Sequence, residues 1–318
     1  MCAYAGRVVA AVDLGGTKIQ TLLFDEHLTI LARDRRASVP HLGAEAMITA
    51  ITDSITATLD NTGGQANLLA IGIAAAGTIN PATGSADSVN LANWRDLALV
   101  GPLQTHFGCR VQLENDGTAA ALGEFTHGAG LGATNLIHMA LGTGVGGGLV
   151  LDGRLYRGIS GAAGELGHIP LDPLGPLCGC GSRGCLEQYA SGTAIARAGT
   201  DLVASGGSPI LAAMAAGRPV TTEMIHQAAL AGDAGASAVI ATAGRWLGRG
   251  LVALVNVFNP DLIVIGGGVA NLGNLLLDPA RQEIAANAMR PAGPAVTIRT
   301  STLGDTAAPL GVAALLLG

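Results

Sequence analysis

Two stretches of this chain read strand, glycine turn, strand, and that repeated arrangement limits the available folds more than any other feature. Residues 7–14 (Arg-Val-Val-Ala-Ala-Val-Asp-Leu) form a mostly apolar run, Gly15 and Gly16 follow, and 17–24 resume the run. Residues 133–141, the glycine cluster at 142–148 and the short segment 149–151 repeat it. Glycines between two apolar runs signal a hairpin, because glycine accepts the positive φ of tight hairpin turns. After the first hairpin the pattern predicts strands at 28–36, 68–74 and 110–114 and helices at 44–59 and 118–125. After the second it predicts a long apolar helix at 234–258, a strand at 262–265, a helix near 272–289, a strand at 296–299 and a terminal helix at 307–317. The expectation is a duplicated α/β architecture with a cleft between its halves.

Glycine clusters end three of these strands, at Gly15–Gly16, at 142–148 and at Gly266–Gly268. Such turns let backbone approach a ligand closely, and their successive N–H groups make anion-binding concavities. Asp13 ends the first strand and can hold Mg²⁺ through water, Thr17 offers a hydroxyl, and Lys18, the only lysine in the chain, places a point charge near phosphate. Residues 142–147 (Gly-Thr-Gly-Val-Gly-Gly) satisfy the dinucleotide fingerprint G-x-G-x-x-G, which requires a helix directly after the turn. A strand-like segment follows instead, so the expectation is a hairpin phosphate loop rather than a Rossmann site. No G-x-x-x-x-G-K-[ST] occurs, which excludes a P-loop.

Three of the five cysteines fall within eight residues, at Cys178, Cys180 and Cys185, with His168 ten residues before the first. Three thiols and an imidazole form a full tetrahedral set, for which zinc is the usual occupant; disulfide pairing is the alternative. Glu165 and Glu187 flank the set. Cys2 and Cys109 lie outside it and are expected as free thiols.

Glu114-Asn115-Asp116 ends one strand and precedes a helix, which leaves two readings of Asp116. It could cap the helix, the commonest work of aspartate there. It could also be a general base that takes the proton of a hydroxyl attacking a phosphoryl group, with Asn115 orienting that hydroxyl. In 164–168 (Gly-Glu-Leu-Gly-His), Glu165 and His168 share a face if the segment is a turn or short helix. His168 could then ligate metal through one ring nitrogen and meet a ligand hydroxyl with the other.

With 318 residues, 49% hydrophobic content and 48 glycines, the chain can build a large core with glycine-dense loops. A net charge of −6 argues against a broad nucleic-acid surface. No signal peptide and no membrane span are read from the sequence. Clustered thiols in a metal-ligand pattern fit a reducing cytoplasm.

These segments together resemble the ROK family (repressors, open reading frames and kinases). The matching elements are Asp-Leu-Gly-Gly-Thr-Lys at 13–18, Glu-Asn-Asp at 114–116, Leu-Gly-Thr-Gly-Val-Gly-Gly-Gly at 141–148, Gly-Glu-Leu-Gly-His at 164–168 and Cys-Gly-Cys-Gly-Ser-Arg-Gly-Cys-Leu-Glu at 178–187. The resemblance implies the actin-like, ribonuclease-H-like ATPase fold, with two lobes around a catalytic cleft. Residues 1–117 with 303–318 would form the smaller lobe, and 118–302 the larger one carrying the zinc loop. It implies transfer of the γ-phosphoryl of ATP to a hexose, usually at O6. Asp116 would be the base; Asn90, Asn115, Glu165, His168 and Glu187 would hold sugar hydroxyls. Asp13, Gly15, Gly16, Thr17 and Lys18, with Gly142, Thr143 and Gly144, would face phosphate and Mg²⁺. Gly267 and Gly268 would lie near adenosine, and His168, Cys178, Cys180 and Cys185 would hold a structural zinc ion. Members are often homodimers or homotetramers.

The family's repressors carry a helix-turn-helix of about 70 residues before the first phosphate motif. Here that motif starts at Asp13, which favours an enzyme over a regulator. Residues 90–96 (Asn-Leu-Ala-Asn-Trp-Arg-Asp) look like glucokinase members. Glucose is therefore the first expected acceptor, followed by N-acetylmannosamine or N-acetylglucosamine and then fructose. Polyphosphate is an alternative donor, and a non-catalytic sugar sensor an alternative class.

Overall fold

Strand β1 (Arg7–Leu14) is buried on both faces from Val8 to Val12, as that apolar run requires. It turns through three residues into β2 (Lys18–Asp25), and the two pair antiparallel, with Asp13 opposite Gln20 and Leu14 opposite Ile19. The computed structural model describes residues 4–88 and 94–318. Asn90 and Cys2 lie outside the described residues.

The chain divides into two compact units, Met1–Gly132 with Gly148–Gly164 and Thr302–Gly318, and Ala133–Gly147 with Glu165–Ser301. This grouping by contacts differs from the expected boundary after 117. The helix beginning at Asp116 stays with unit 1, because its small residues pack against the terminal helix of the same unit. The segment 148–164 also belongs to unit 1.

In unit 1, β3 (Ile30–Ala37), α1 (Ala44–Asp60), β4 (Asn67–Ala75), β5 (Thr78–Asn80), β6 (Ser85–Ser88), β7 (Trp94–Ala98), α2 (Val100–Phe107), β8 (Arg110–Asn115) and α3 (Asp116–His127) follow in order. The main sheet runs β3-β2-β1-β4-β8, with β1, β4 and β8 parallel. Alternation along β1 sends Val8, Ala10 and Val12 into a core with Met47, Ile51 and Ile55 of α1. Val9 and Ala11 point to the opposite core, with Leu310, Val312 and Ala313 of the terminal helix. The small sheet β5-β6-β7 was not foreseen from the sequence.

Strand β9 (Leu136–Leu141) opens unit 2, and β10 (Val145–Leu151) carries the chain back into unit 1, where it pairs antiparallel with β11 (Arg154–Tyr156). Unit 2 continues with α4 (Glu187–Ala190), α5 (Gly192–Ala204), α6 (Pro209–Ala215), α7 (Thr222–Leu230), α8 (Ala234–Phe258), β12 (Leu262–Gly266), α9 (Asn274–Asn287), α10 (Ala292–Ala295) and β13 (Thr297–Thr300). Strand β12 pairs in parallel with both β9 and β13. Helix α8 is long and apolar enough to cross a membrane by length and composition. Its apolar face is instead buried inside unit 2, where Gly244 and Gly248 let α9 approach so closely that a Cβ at either would collide with it. The chain ends in unit 1 with α11 (Ala307–Leu317), apolar on all sides and packed between the sheet and α3.

Candidate active site and metal centre

In unit 1, the turn between β1 and β2 is closed by the Gly15 N–H donating to the Lys18 carbonyl at 3.0 Å. Gly15 does not adopt the positive φ expected of it, because a three-residue turn closes this hairpin without a left-handed residue. What glycine provides is open space: a Cβ there would meet only the Lys18 carbonyl oxygen, at 3.5 Å. Lys18 Nζ lies 3.3 Å from Asp13 Oδ2. Burial pushes the Asp13 carboxyl above its ordinary value and Lys18 pulls it back only in part. A partly buried carboxylate beside a lysine and an open glycine turn fits a cation and a phosphate group.

The other unit 1 element is the β8–α3 junction. Asn115 has extended backbone and its Oδ1 accepts the Thr118 N–H at 2.9 Å, so Asn115 is the helix cap. Its Nδ2 donates to the Gly77 carbonyl at 2.9 Å. Asp116 is therefore the first residue of the helix, with Oδ1 accepting the Gly117 N–H at 2.8 Å. Glu114, almost fully buried, accepts from Arg157 Nε at 2.6 Å and from the Asn115 N–H at 3.1 Å. The sequence reading gave neither Glu114 nor Arg157 a role; a buried glutamate beside a candidate base was the signal available.

Unit 2 holds the second glycine loop. The chain leaves β9 through Gly142–Gly144 and continues as strand β10, so the dinucleotide-like motif opens no helix, as expected. Three bonds secure this loop: Gly192 N–H to the Gly142 carbonyl (2.8 Å), Thr193 Oγ1 to the Thr143 carbonyl (2.8 Å) and Val145 N–H to Glu187 Oε2 (2.9 Å). A Cβ at Gly144 would collide with that carboxylate, whereas nothing lies within 4 Å of one at Gly142. Glu187, expected to hold a sugar hydroxyl, thus also fixes the start of β10. At the third cluster only Gly267 is left-handed, with φ +80, and a Cβ on it would collide with the Leu141 carbonyl. Gly268 is open.

Glu165 and His168 share a face, as expected, because Leu166–His168 form a 3-10 turn capped by the His168 N–H to the Glu165 carbonyl at 3.1 Å. His168 Nε2 lies 3.9 Å from Glu165 Oε2. Its Nδ1 points the other way, 3.5 Å from Cys178 Sγ, and Cys180 Sγ lies 3.7 Å from Cys185 Sγ. All four ligand atoms fall within 4.8 Å of one another. A tetrahedral zinc ion sets sulfur pairs about 3.8 Å apart and sulfur–nitrogen pairs about 3.6 Å apart. The residues present fit that ion. Burial, with help from the two neighbouring thiols, pushes Cys185 up to about 12, so this thiol needs a nearby cation to ionise.

The loop around this set is shaped by Gly181 and Gly184, both left-handed, and by the Cys178 N–H to the Ser182 carbonyl at 2.8 Å. Leu186 N–H to the Ile169 carbonyl, at 3.0 Å, returns it to the 3-10 turn. Tyr189 donates to Asp172 at 2.9 Å and stacks on Trp246 of α8 with centroids 4.0 Å apart, which anchors the loop to the long helix.

Glycine loops at strand ends, a carboxylate at a helix start and a compact Cys/His cluster on two α/β units define a protein of the actin-like ATPase class. The ROK family model matches residues 9–318, and the chain belongs to that family. It is 37% identical over 278 residues to a glucokinase of Streptomyces coelicolor, covering 86% of this chain and 85% of the relative. The crystal structure of a ROK family glucokinase from Streptomyces griseus, in complex with glucose and AMPPNP, has a TM-score of 0.83 and 35% identity, covering 97% of this chain and 98% of that one. A ROK hexokinase from Thermus thermophilus has a TM-score of 0.79 and 34% identity, covering 96% of each chain.

Proposed function

We propose that this chain is an ATP-dependent hexose kinase that phosphorylates glucose at O6. The observation that carries the reading is the β8–α3 junction, where Asn115 takes the helix cap and the Asp116 carboxylate stands at the first position of α3. Membership of the ROK family and the likeness to glucokinases over nearly the whole chain support the same activity.

In this reading Asp116 takes the hydroxyl proton as the oxygen attacks the γ-phosphorus. Asn90, Asn115, Glu165, His168 and Glu187 hold the other hydroxyls. The open turn at Gly15, Gly16 and Thr17, with Lys18 and the loop Gly142, Thr143 and Gly144, receives the phosphates through backbone N–H groups. Gly267 and Gly268 lie at the adenosine. Asp13 would hold Mg²⁺, which neutralises charge on the phosphates when bound. His168, Cys178, Cys180 and Cys185 would hold zinc, which fixes the imidazole and leaves Nε2 to meet a hydroxyl. The enzyme would act in the cytoplasm as a homodimer or homotetramer.

The test is ADP release from ATP with glucose, mannose, N-acetylmannosamine, N-acetylglucosamine and fructose, for the wild type and Asp116→Asn. A dominant rate with glucose, abolished in the variant while calorimetry still detects glucose binding, is expected. A dominant rate with an acetamido sugar would move the acceptor assignment, and wild-type turnover in Asp116→Asn would remove the base. Binding of sugar with no turnover in the wild type would instead favour a sugar sensor.

A further inference from the structure

Arg157 lies 43 residues from Glu114 in sequence, yet its Nε donates to Glu114 Oε2 at 2.6 Å, within unit 1. The arginine side chain is 40% exposed and the glutamate 8%. A carboxylate that buried needs a partner, and Arg157 is positioned as one from both ends. Its own carbonyl accepts the Ala163 N–H at 3.1 Å, which closes the loop 157–163 around the left-handed Gly158 and Gly161. The second oxygen of Glu114 accepts the Asn115 N–H, and Asn115 in turn caps α3 and holds the Gly77 carbonyl. A continuous chain of bonds therefore runs from Arg157 through Glu114 and Asn115 to the helix start at Asp116.

We propose that Arg157, acting through Glu114, is a positioning residue that holds Asp116 in its working geometry. The proposal rests on the assignment of Asp116 as the base. Arg157 does not touch substrate in this account. It fixes the backbone from which the base projects, and a misplacement of about 1 Å at a reacting group lowers rates about 100-fold.

Arg157 also lines a cavity of about 620 Å³ in the same unit, together with Ile79, Val100, Gln104, Gln112 and Glu114. Removal of its side chain would leave the buried face of Glu114 open to a small cation entering from that cavity, which makes chemical rescue a direct test.

The experiment compares Arg157→Ala, Arg157→Lys, Glu114→Gln/Arg157→Ala and Asp116→Asn by steady-state kinetics with glucose and ATP and by thermal melting. Arg157→Ala is expected to lose about 10- to 100-fold in kcat with KM for both substrates within about threefold. Millimolar ethylguanidinium should restore part of that kcat saturably, and sodium chloride or ethylammonium at equal ionic strength should not. The double variant should show no rescue, because the carboxylate that binds the guanidinium is gone. Arg157→Lys keeps a charge but not the planar donor; it should melt like the wild type and still lose kcat, and it serves if Arg157→Ala does not fold. Loss of kcat and KM together in step with melting temperature would overturn the proposal, as would absent rescue, equal rescue in the double variant or wild-type kcat in Arg157→Lys. Retained turnover in Asp116→Asn would overturn the base assignment instead, and so separates the two failures.

Discussion

Both ends of the Asn115 amide are occupied, the oxygen by the α3 cap and the nitrogen by the Gly77 carbonyl. Asn115→Ala is expected to destabilise the protein by about 2 kcal/mol, the loss of a cap plus an orphaned carbonyl. Asn115→Ser, which keeps a capping oxygen, should recover about half of that in denaturant melts. From the sequence, Asp116 could have been the cap as easily as the base, since both adjacent residues are good caps; only the extended backbone at Asn115 decides between them. The convergence of His168, Cys178, Cys180 and Cys185 was legible from spacing, because three thiols in eight residues leave few alternatives. Which histidine nitrogen faces them was not, for ring orientation depends on the 3-10 turn that carries His168. Cys180→Ala should lower zinc content well below one per chain and weaken glucose binding with it, since His168 loses its fixed orientation. A full complement of zinc in that variant would count against the ligand set.

Among the elements, α3 depends most on close packing. A Cβ on Gly311 of α11 would collide with the Ala119 carbonyl, and one on Gly123 with the Ala307 carbonyl. This explains the small residues of α3, which as a sequence are too unpatterned to announce a helix-on-helix contact. Gly311→Val should cost about 3 kcal/mol by overpacking and lower the melting temperature by several degrees. Because α3 begins at Asp116, kcat should fall as well. Helix α8 illustrates the opposite case: its bounds were readable from apolar length, but its cap was not. Asp233 caps it through the Ala236 N–H and accepts from Ser208 Oγ at 2.5 Å, and Ser208 itself caps α6. The β5-β6-β7 sheet was missed because short strands carry little periodicity.

At the scale of the whole molecule, the duplicated pattern was legible from two hairpins and the family resemblance already placed 303–318 with the N-terminal residues, whereas the return of 148–164 to unit 1 was not legible, since only tertiary packing assigns it. The same scale governs how stability depends on pH. Hydrogen bonds from Ser208 and the Ala236 N–H hold the Asp233 carboxyl below its ordinary 3.8. Burial pushes Asp34 up, but Arg36 and Ser54 outweigh it and hold this carboxyl low as well. Both contributions are present above about pH 4 and fade as the pH falls through their native values. Asp13 has the opposite sign. Burial holds its carboxyl above 3.8, so its contribution is present below that value and lost as pH rises through the native one. At neutral pH its charge therefore opposes folding, a strain that a bound cation would relieve. Asp13→Asn should melt higher than the wild type at pH 7 without added metal, and the difference should shrink as the pH approaches 4. Mg²⁺ with ATP should raise the melting temperature of the wild type and leave the variant nearly unmoved, by the mass-action rule that only a ligand bound to the native state stabilises it. Phosphoryl transfer should be lost in the same variant. A lower melting temperature for Asp13→Asn at pH 7 would show that the Lys18 pair, rather than a cation, satisfies this carboxylate.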